Sequence, residues 1–220
     1  MMHGLATQII NLLAAVLLML SFAMLSQRRV LSLIHLYTLQ GVTLVFANFV
    51  LGYVTADIQL IVSGLLTLAL KVGVIPWILY RLVQRLNVRA DIEQLINIPT
   101  TLLIGIALVI VAFNVATPIS QLASSVARGA LGIALACVLL SFMMMITRAR
   151  AIPQVIGFLS MENGLFFAAA TATNGMPMIV ELGIGLDVLV GILILGIFMF
   201  QIREQFDSLD IHHLEKLKDD

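Results

Sequence analysis

Residues 100–117 read TTLLIGIALVIVAFNVAT, an uncharged run between Pro99 and Pro118. The hydrocarbon core of a bilayer is about 30 Å thick and takes roughly 20 apolar residues in a helix. Because lipid offers no hydrogen bonds to an exposed backbone, such a run predicts a transmembrane helix. Comparable runs recur along the chain, so the sequence predicts an all-α, polytopic membrane protein of about seven spans. These spans are residues 5–25, 30–52, 57–81, 100–117, 129–147, 154–173 and 178–202.

Composition favours the same class. The 220 residues are 61% hydrophobic and only 11% charged, whereas a soluble domain is about half apolar and a quarter charged. The net charge is zero, which gives no reason to expect a nucleic-acid partner. The single cysteine, Cys137, excludes an intrachain disulfide, a cysteine-based zinc site and an iron–sulfur cluster held by this chain alone. We therefore expect no cofactor and no metal in this chain.

Basic residues set the expected orientation. Ten of the 12 fall on one side of a seven-span arrangement, whereas Arg128 falls opposite and Lys71 lies inside a span. The positive-inside rule then places the N-terminus outside and the C-terminus in the cytoplasm of a prokaryotic inner membrane. The ten are Arg28, Arg29, Arg81, Arg85, Arg89, Arg148, Arg150, Arg203, Lys216 and Lys218.

The expected organisation has four parts. Residues 1–83 form an N-terminal three-helix segment, and residues 84–99 form a cytoplasmic loop or a short interfacial helix. Residues 100–202 form a four-helix segment, and residues 203–220 are a cytoplasmic tail. Only His3 precedes the first apolar run, which lacks the basic start of a signal peptide, so we expect it to be retained as a helix.

Ionisable residues inside the predicted spans are the candidate functional residues. Lys71 lies deep in the third span, Glu162 near the middle of the sixth, and Glu181 and Asp187 in the seventh. Each costs several kcal/mol in lipid unless it is paired or hydrated. Burial disfavours the charged form of an acid or a base, so such groups can exchange protons near neutral pH. Together with His35 in the second span, they predict the stations of a proton path.

Each candidate also has a structural interpretation. Glu181 lies close enough to the outer interface to be solvated there, and Asp187 with Lys71 would make a buried pair that only locks helices together. His35 is more typical of a packing histidine near a helix end. Glu162 is the hardest of the four acidic and basic residues to explain as structure alone.

Pro76 predicts an irregular turn beside Lys71. Proline has no N–H group, so the carbonyl of Val72 loses its helical donor, and Gly73 loosens the same turn. Freed backbone at membrane depth is tolerated where it lines protein or water. A simple packing kink is the alternative.

The last three spans resemble the small K-type membrane subunit of respiratory complex I and its relatives in membrane-bound hydrogenases. The segments that carry the resemblance are RAR at 148–150, GFLSMENG at 157–164 and ELGIGLD at 181–187. The first glutamate departs from the K-type pattern, because alignment on Asn163 places the family's glutamate at Leu159.

The whole chain resembles the E subunit of hydrogenase-4-type complexes, through KVGVIP at 71–76 and SMENG at 160–164. This resemblance implies a non-catalytic subunit that binds no redox cofactor. It would bridge antiporter-like and other membrane subunits and supply part of an intramembrane path for H⁺ or Na⁺. A stand-alone proton-coupled transporter and a purely structural assembly subunit are the alternatives. A faint repeat at an offset of 120 sets Arg28-Arg29 against Arg148-Ala149, each pair opening a span.

Overall fold

The computed structural model describes residues 2–56, 58–85, 95–120 and 125–173, together with Gly185 and Gly196. These residues form helices and connecting turns, without a β-strand among them. The elements are α1 (Met2–Ser26), α2 (Val30–Thr55), α3 (Ile58–Thr67), a π-helical segment (Leu68–Val74), α4 (Ile75–Arg85), α5 (Ile98–Ser120), α6 (Ser125–Thr147) and α7 (Ala151–Thr173). The run from α3 through the π-helical segment to α4 is a single continuous span.

Five helices within the described residues are long and apolar enough to cross a membrane. They are Gly4–Ser26, Val30–Thr55, Ile58–Gln84, Ile98–Pro118 and Gly129–Thr147, and they match the first five predicted spans. Helix α7 occupies the predicted sixth span but is not one of the five. The prediction of a helical membrane protein is confirmed, while the count of seven and the orientation stay predictions.

Pro118 does not end its helix as the sequence analysis expected. Helix α5 continues through Pro118 to Ser120. A proline one turn from a helix end costs only one backbone hydrogen bond, because the carbonyls of the last turn have no helical donor in any case.

Helix packing is organised by two hairpins that lie side by side. The hairpin α1–α2 packs against the hairpin α6–α7, with α1 on α6 and α2 on α7. The α3–α4 span packs along α2, and α5 lies outside, against α6 and α1. Large apolar side chains of α5 are exposed, among them Leu103 and Ile110, as a lipid-facing or subunit-facing surface requires.

The two hairpins repeat one another at an offset of 120 beyond the paired arginines. The end of α1 reads LSFAMLSQR at 20–28, and the end of α6 reads LSFMMMITR at 140–148. In the first hairpin Gln40 Nε2 donates to Ser21 Oγ at 3.0 Å, and in the second Ser141 Oγ and Ser160 Oγ share a hydrogen bond of 2.8 Å. Both bonds join positions that are 19 residues apart. The offset therefore reflects a repeated helical hairpin.

Two apolar clusters fill the bundle at different levels. The first contains Met24, Leu33, Leu79 and Ile152, which lie near the arginine-bearing turns. The second contains the opposite ends of the same helices, including Leu51 and Phe167. The level between these clusters, midway along the helices, is where the candidate site lies.

Gly185 and Gly196 are the two described residues of the predicted seventh span, and both are helical. A Cβ atom on Gly185 would lie 3.0 Å from Leu70 Cδ1, and one on Gly196 would lie 3.5 Å from Leu82 Cδ1. Gly185 and Gly196 therefore each lie close to a leucine of the third span.

Candidate functional site

A buried ion pair joins the third span to α7. Lys71 Nζ lies 3.0 Å from Glu162 Oε1, and the two side chains are only 5% and 10% exposed. Burying two charges is costly, and their attraction offsets that cost only when further hydrogen bonds complete the arrangement. Prediction placed both residues inside the membrane, and the structure brings them into direct contact.

Neighbouring groups on α7 complete the environment of the lysine. Lys71 Nζ donates to Asn163 Oδ1 at 3.1 Å, and the ammonium lies 5.0 Å from the centroid of the Phe166 ring. An ammonium has three N–H donors, and an aromatic face attracts a desolvated cation. A carboxylate, an amide oxygen and a ring face therefore all stabilise the charged lysine.

The π-helical segment Leu68–Val74 positions Lys71. The N–H group of Ile75 bonds to Leu70 O, five residues earlier, and Pro76 follows directly. A proline ring clashes with the carbonyl four residues before it, here Val72, and a widened turn relieves that clash. The irregular turn predicted from Pro76 is thus a π-helical turn. Such turns occur frequently at functional sites.

Gly41 of α2 allows the π-helical segment to approach closely. A Cβ atom at Gly41 would lie 3.2 Å from Val72 Cγ2 and 3.4 Å from Lys71 O. On the other side, a Cβ atom at Gly164 would lie 3.3 Å from Ala134 O, so α7 is seated tightly on α6. Glycines on either side of the pair therefore fix the separation of the helices that carry it.

Several buried polar atoms of α2 and α7 have no hydrogen-bond partner among the described residues. They belong to five side chains: Tyr37 Oη, Gln40 Oε1, both amide atoms of Asn48, Glu162 Oε2 and Asn163 Nδ2. Tyr37 is 0% exposed, and its hydroxyl is near enough to Glu162 to interact electrostatically. Sequence reasoning missed Tyr37, because a tyrosine in an apolar run is also typical of the membrane interface.

The other predicted members of the proton path are not brought to this site within the described residues. His35 is exposed on the outer side of α2. Glu181 and Asp187 lie outside the described residues, so their roles stay predictions. The sequence analysis weighed Asp187 as a partner of Lys71, and within the described residues the Lys71 ammonium contacts Glu162.

Arg148 is a second buried charge, and sequence reasoning treated it as an ordinary loop arginine. Its side chain is 1% exposed, and Nη2 donates to Met24 O at 3.1 Å and to Leu25 O at 2.8 Å. These carbonyls belong to the last turn of α1, where helical donors are missing and a positive charge is favourable, although Met24 O also accepts from the Gln27 N–H at 3.3 Å. Burial lowers the pKa of Arg148 to about 10, which leaves it protonated at neutral pH. Arg148 is therefore a structural cap.

The chemistry available at the site is proton exchange. Within the described residues, no group of three or more His, Cys, Asp or Glu side chains could hold a metal ion. Lys71, Glu162 and the Tyr37 hydroxyl are all groups that gain or lose protons. An acid and a base in contact can pass a proton between them without any cofactor.

Comparison with known proteins gives a relative of undescribed function. No family model matches the chain, and no solved structure matches it. An uncharacterized protein of Mycobacterium tuberculosis, Rv0085, is 32% identical over 212 residues, which cover 96% of both chains. At this identity and coverage, the chain belongs to the same family as the mycobacterial protein Rv0085.

Proposed function

We propose that this chain is a non-catalytic, ion-translocating subunit of a hydrogenase-4-like or complex-I-related membrane complex. The observation that carries the proposal is the pair formed by Lys71 and Glu162 at mid-bundle. Ionisable groups at membrane depth are expensive, and they mark ion and proton pathways. In such a complex the chain would bridge antiporter-like subunits and supply part of the intramembrane path.

The position of the pair supports the resemblance to hydrogenase-4-type subunits. Lys71 is the first residue of KVGVIP at 71–76, and Glu162 lies within SMENG at 160–164. These were the two segments that suggested the family. Although they are far apart in the sequence, a single salt bridge joins them, as expected if both segments serve one site.

The proposed arrangement in the membrane has seven spans, with the N-terminus outside and the C-terminus in the cytoplasm of a prokaryote. Supporting it, the turn with Arg28 and Arg29 lies beside the turn with Arg148, which caps α1. Arg81 near the end of α4 stacks on Trp77 at 4.2 Å, a typical pairing at a membrane interface.

The repeated hairpins favour a second candidate, a stand-alone proton-coupled transporter. Many transporters contain parallel structural repeats with a substrate site near the midplane. Here the ion pair does not follow the repeat, because Lys71 comes from the third span and Glu162 from the second hairpin. The two hairpins do not supply equivalent charged groups at that level.

Purification of the native assembly separates the candidates. An affinity tag after Asp220 in the native gene allows extraction in a mild detergent and identification of the co-purifying chains by mass spectrometry. The proposal predicts antiporter-like and hydrogenase-like or complex-I-like subunits in fixed proportion. A chain that purifies alone, and that by itself drives solute uptake in proteoliposomes, would establish the transporter instead.

A further inference from the structure

A stripe of buried polar side chains runs along α2 past the ion pair. Tyr37, Gln40 and Asn48 lie at helical spacing on the inner face, and each is at most 1% exposed. At 1.5 Å per residue the stripe extends over about 16 Å, roughly half the thickness of a bilayer core. Tyr37 belongs to the apolar cluster near the arginine turns. Asn48 lies between Ala47 and Leu51 of the opposite cluster.

The unpartnered atoms of this stripe point to bound water. Tyr37 Oη, Gln40 Oε1 and both amide atoms of Asn48 have no partner among the described residues, and neither do Glu162 Oε2 and Asn163 Nδ2. Buried polar groups are nearly always hydrogen-bonded, and ordered water supplies the partner when protein does not. Four of these atoms lie on the inner face of α2, and two belong to Glu162 and Asn163 at the ion pair itself.

We propose that Tyr37, Gln40 and Asn48 line a hydrated proton path on both sides of the Lys71–Glu162 pair, and that the ion carried is therefore H⁺ and not Na⁺. The inference rests on the proposed function and adds the ion and the route. Hydroxyl and amide groups bridged by water pass protons by exchange of hydrogen bonds. The Tyr37 side leads toward the arginine turns, and the Asn48 side leads toward the opposite face.

The ligands of the pair argue against a sodium site. A hard cation such as Na⁺ requires several oxygen ligands that are free to face it. Here Glu162 Oε1 and Asn163 Oδ1 already accept from the Lys71 ammonium, at 3.0 and 3.1 Å. A metal cation at the same oxygens would lie next to a positive charge in a medium of low dielectric, where repulsion is strong.

A proton can pass the pair with all atoms balanced. A proton from the path adds to the Glu162 carboxylate and removes its negative charge. The ammonium of Lys71, which has lost its counter-charge, then releases a proton to water on the other side. Transfer of the proton from the Glu162 acid to the Lys71 amine restores the starting charges. One proton has entered and one has left.

The test uses the native complex, purified from tagged cells and reconstituted into sealed vesicles. Tyr37→Phe removes only the buried hydroxyl, and Asn48→Leu removes both amide atoms at similar volume. Tyr53→Phe is the matched control, because it removes the same hydroxyl from an exposed site on the same helix. Proton movement is followed with a pH-sensitive dye, and sodium movement with radioactive Na⁺.

We expect Tyr37→Phe and Asn48→Leu each to slow proton movement by at least about tenfold, as loss of a proton-transfer group does, while Tyr53→Phe behaves as wild type. Proton movement by the wild-type complex should continue in buffer without Na⁺. If the complex with Asn48→Leu does not assemble, the rate of proton movement in Tyr37→Phe alone tests the proposed path. Wild-type rates in Tyr37→Phe would overturn the path. Movement that requires Na⁺ and stops in Glu162→Gln would overturn the proton assignment alone, whereas unchanged ion movement in Glu162→Gln would overturn the proposed function itself.

Discussion

Lys71 on the π-helical segment and Glu162 on α7 place their charges 3.0 Å apart, although they come from opposite halves of the chain. The pair links the α3–α4 span, which packs on the first hairpin, to the second hairpin. The pair lies between the apolar cluster that contains Leu79 and the apolar cluster that contains Phe167. A change in the protonation of either residue therefore acts on the contact between the two halves.

Lys71→Met tests the pair from the basic side. Loss of one partner of a buried ion pair costs about 3–5 kcal/mol when the remaining charge persists, so Glu162 should take up a proton in this variant. We expect the complex to assemble and ion pumping in vesicles to fall at least about tenfold. The double variant Lys71→Met/Glu162→Gln should regain any lost assembly without regaining pumping. Normal pumping in Lys71→Met would mean that the lysine only holds helices together.

Arg148→Met tests the buried cap. The variant loses charged hydrogen bonds to Met24 O and Leu25 O, each worth about 1.5–3 kcal/mol. We expect a clearly lower thermal midpoint for the detergent-solubilised protein, measured by loss of the monodisperse peak on heating. Arg28→Met is the matched control, because Arg28 is the exposed counterpart in the first hairpin. Equal midpoints for the two variants would argue against the cap.

Gly41→Leu tests the close contact between α2 and the π-helical segment. A Cβ atom at this position already lies 3.2 Å from Val72 Cγ2, so a larger side chain must push the segment away. We expect Lys71 to move away from Glu162, and pumping to fall at least about tenfold, as it does when a proton-transfer group is lost. Leu39→Ala, on the exposed side of α2, should leave pumping unchanged. Wild-type pumping in Gly41→Leu would show that the spacing is not critical.

The sequence carried enough information for the class of fold and for the depth of Lys71 and Glu162, because charges in long apolar runs are rare. It did not reveal that these two residues meet, because hydropathy gives the length of each span and not its neighbours. Tyr37 and Arg148 were missed for the same reason, since only the packing of other helices buries them. Pro76 predicted an irregular turn, but not that the turn would be π-helical over Leu68–Val74. The sequence predicted only a faint repeat at the arginines, and the structure extends it to 20–28 and 140–148 through equivalent hydrogen bonds in both hairpins.

Reporter fusions test the seven-span arrangement. A reporter that is active only in the cytoplasm should be active after Asp220 and inactive in the loop around Ser124. The expectation follows from the ten basic residues on one side of the predicted spans. Equal activity at both positions would contradict the seven-span arrangement, which places three spans between Ser124 and Asp220.

The central claim is that Glu162 exchanges protons during ion movement, and Glu162→Gln tests it most directly. Glutamine keeps the size of the side chain and its hydrogen bonds to Lys71, but it cannot release a proton. The variant complex should assemble normally and retain electron transfer in detergent. Only the coupling of electron transfer to ion movement should then be lost. In sealed vesicles we predict that most of the ion gradient is lost. A wild-type gradient in that variant would contradict the account, because ion movement would then not need a proton released by Glu162.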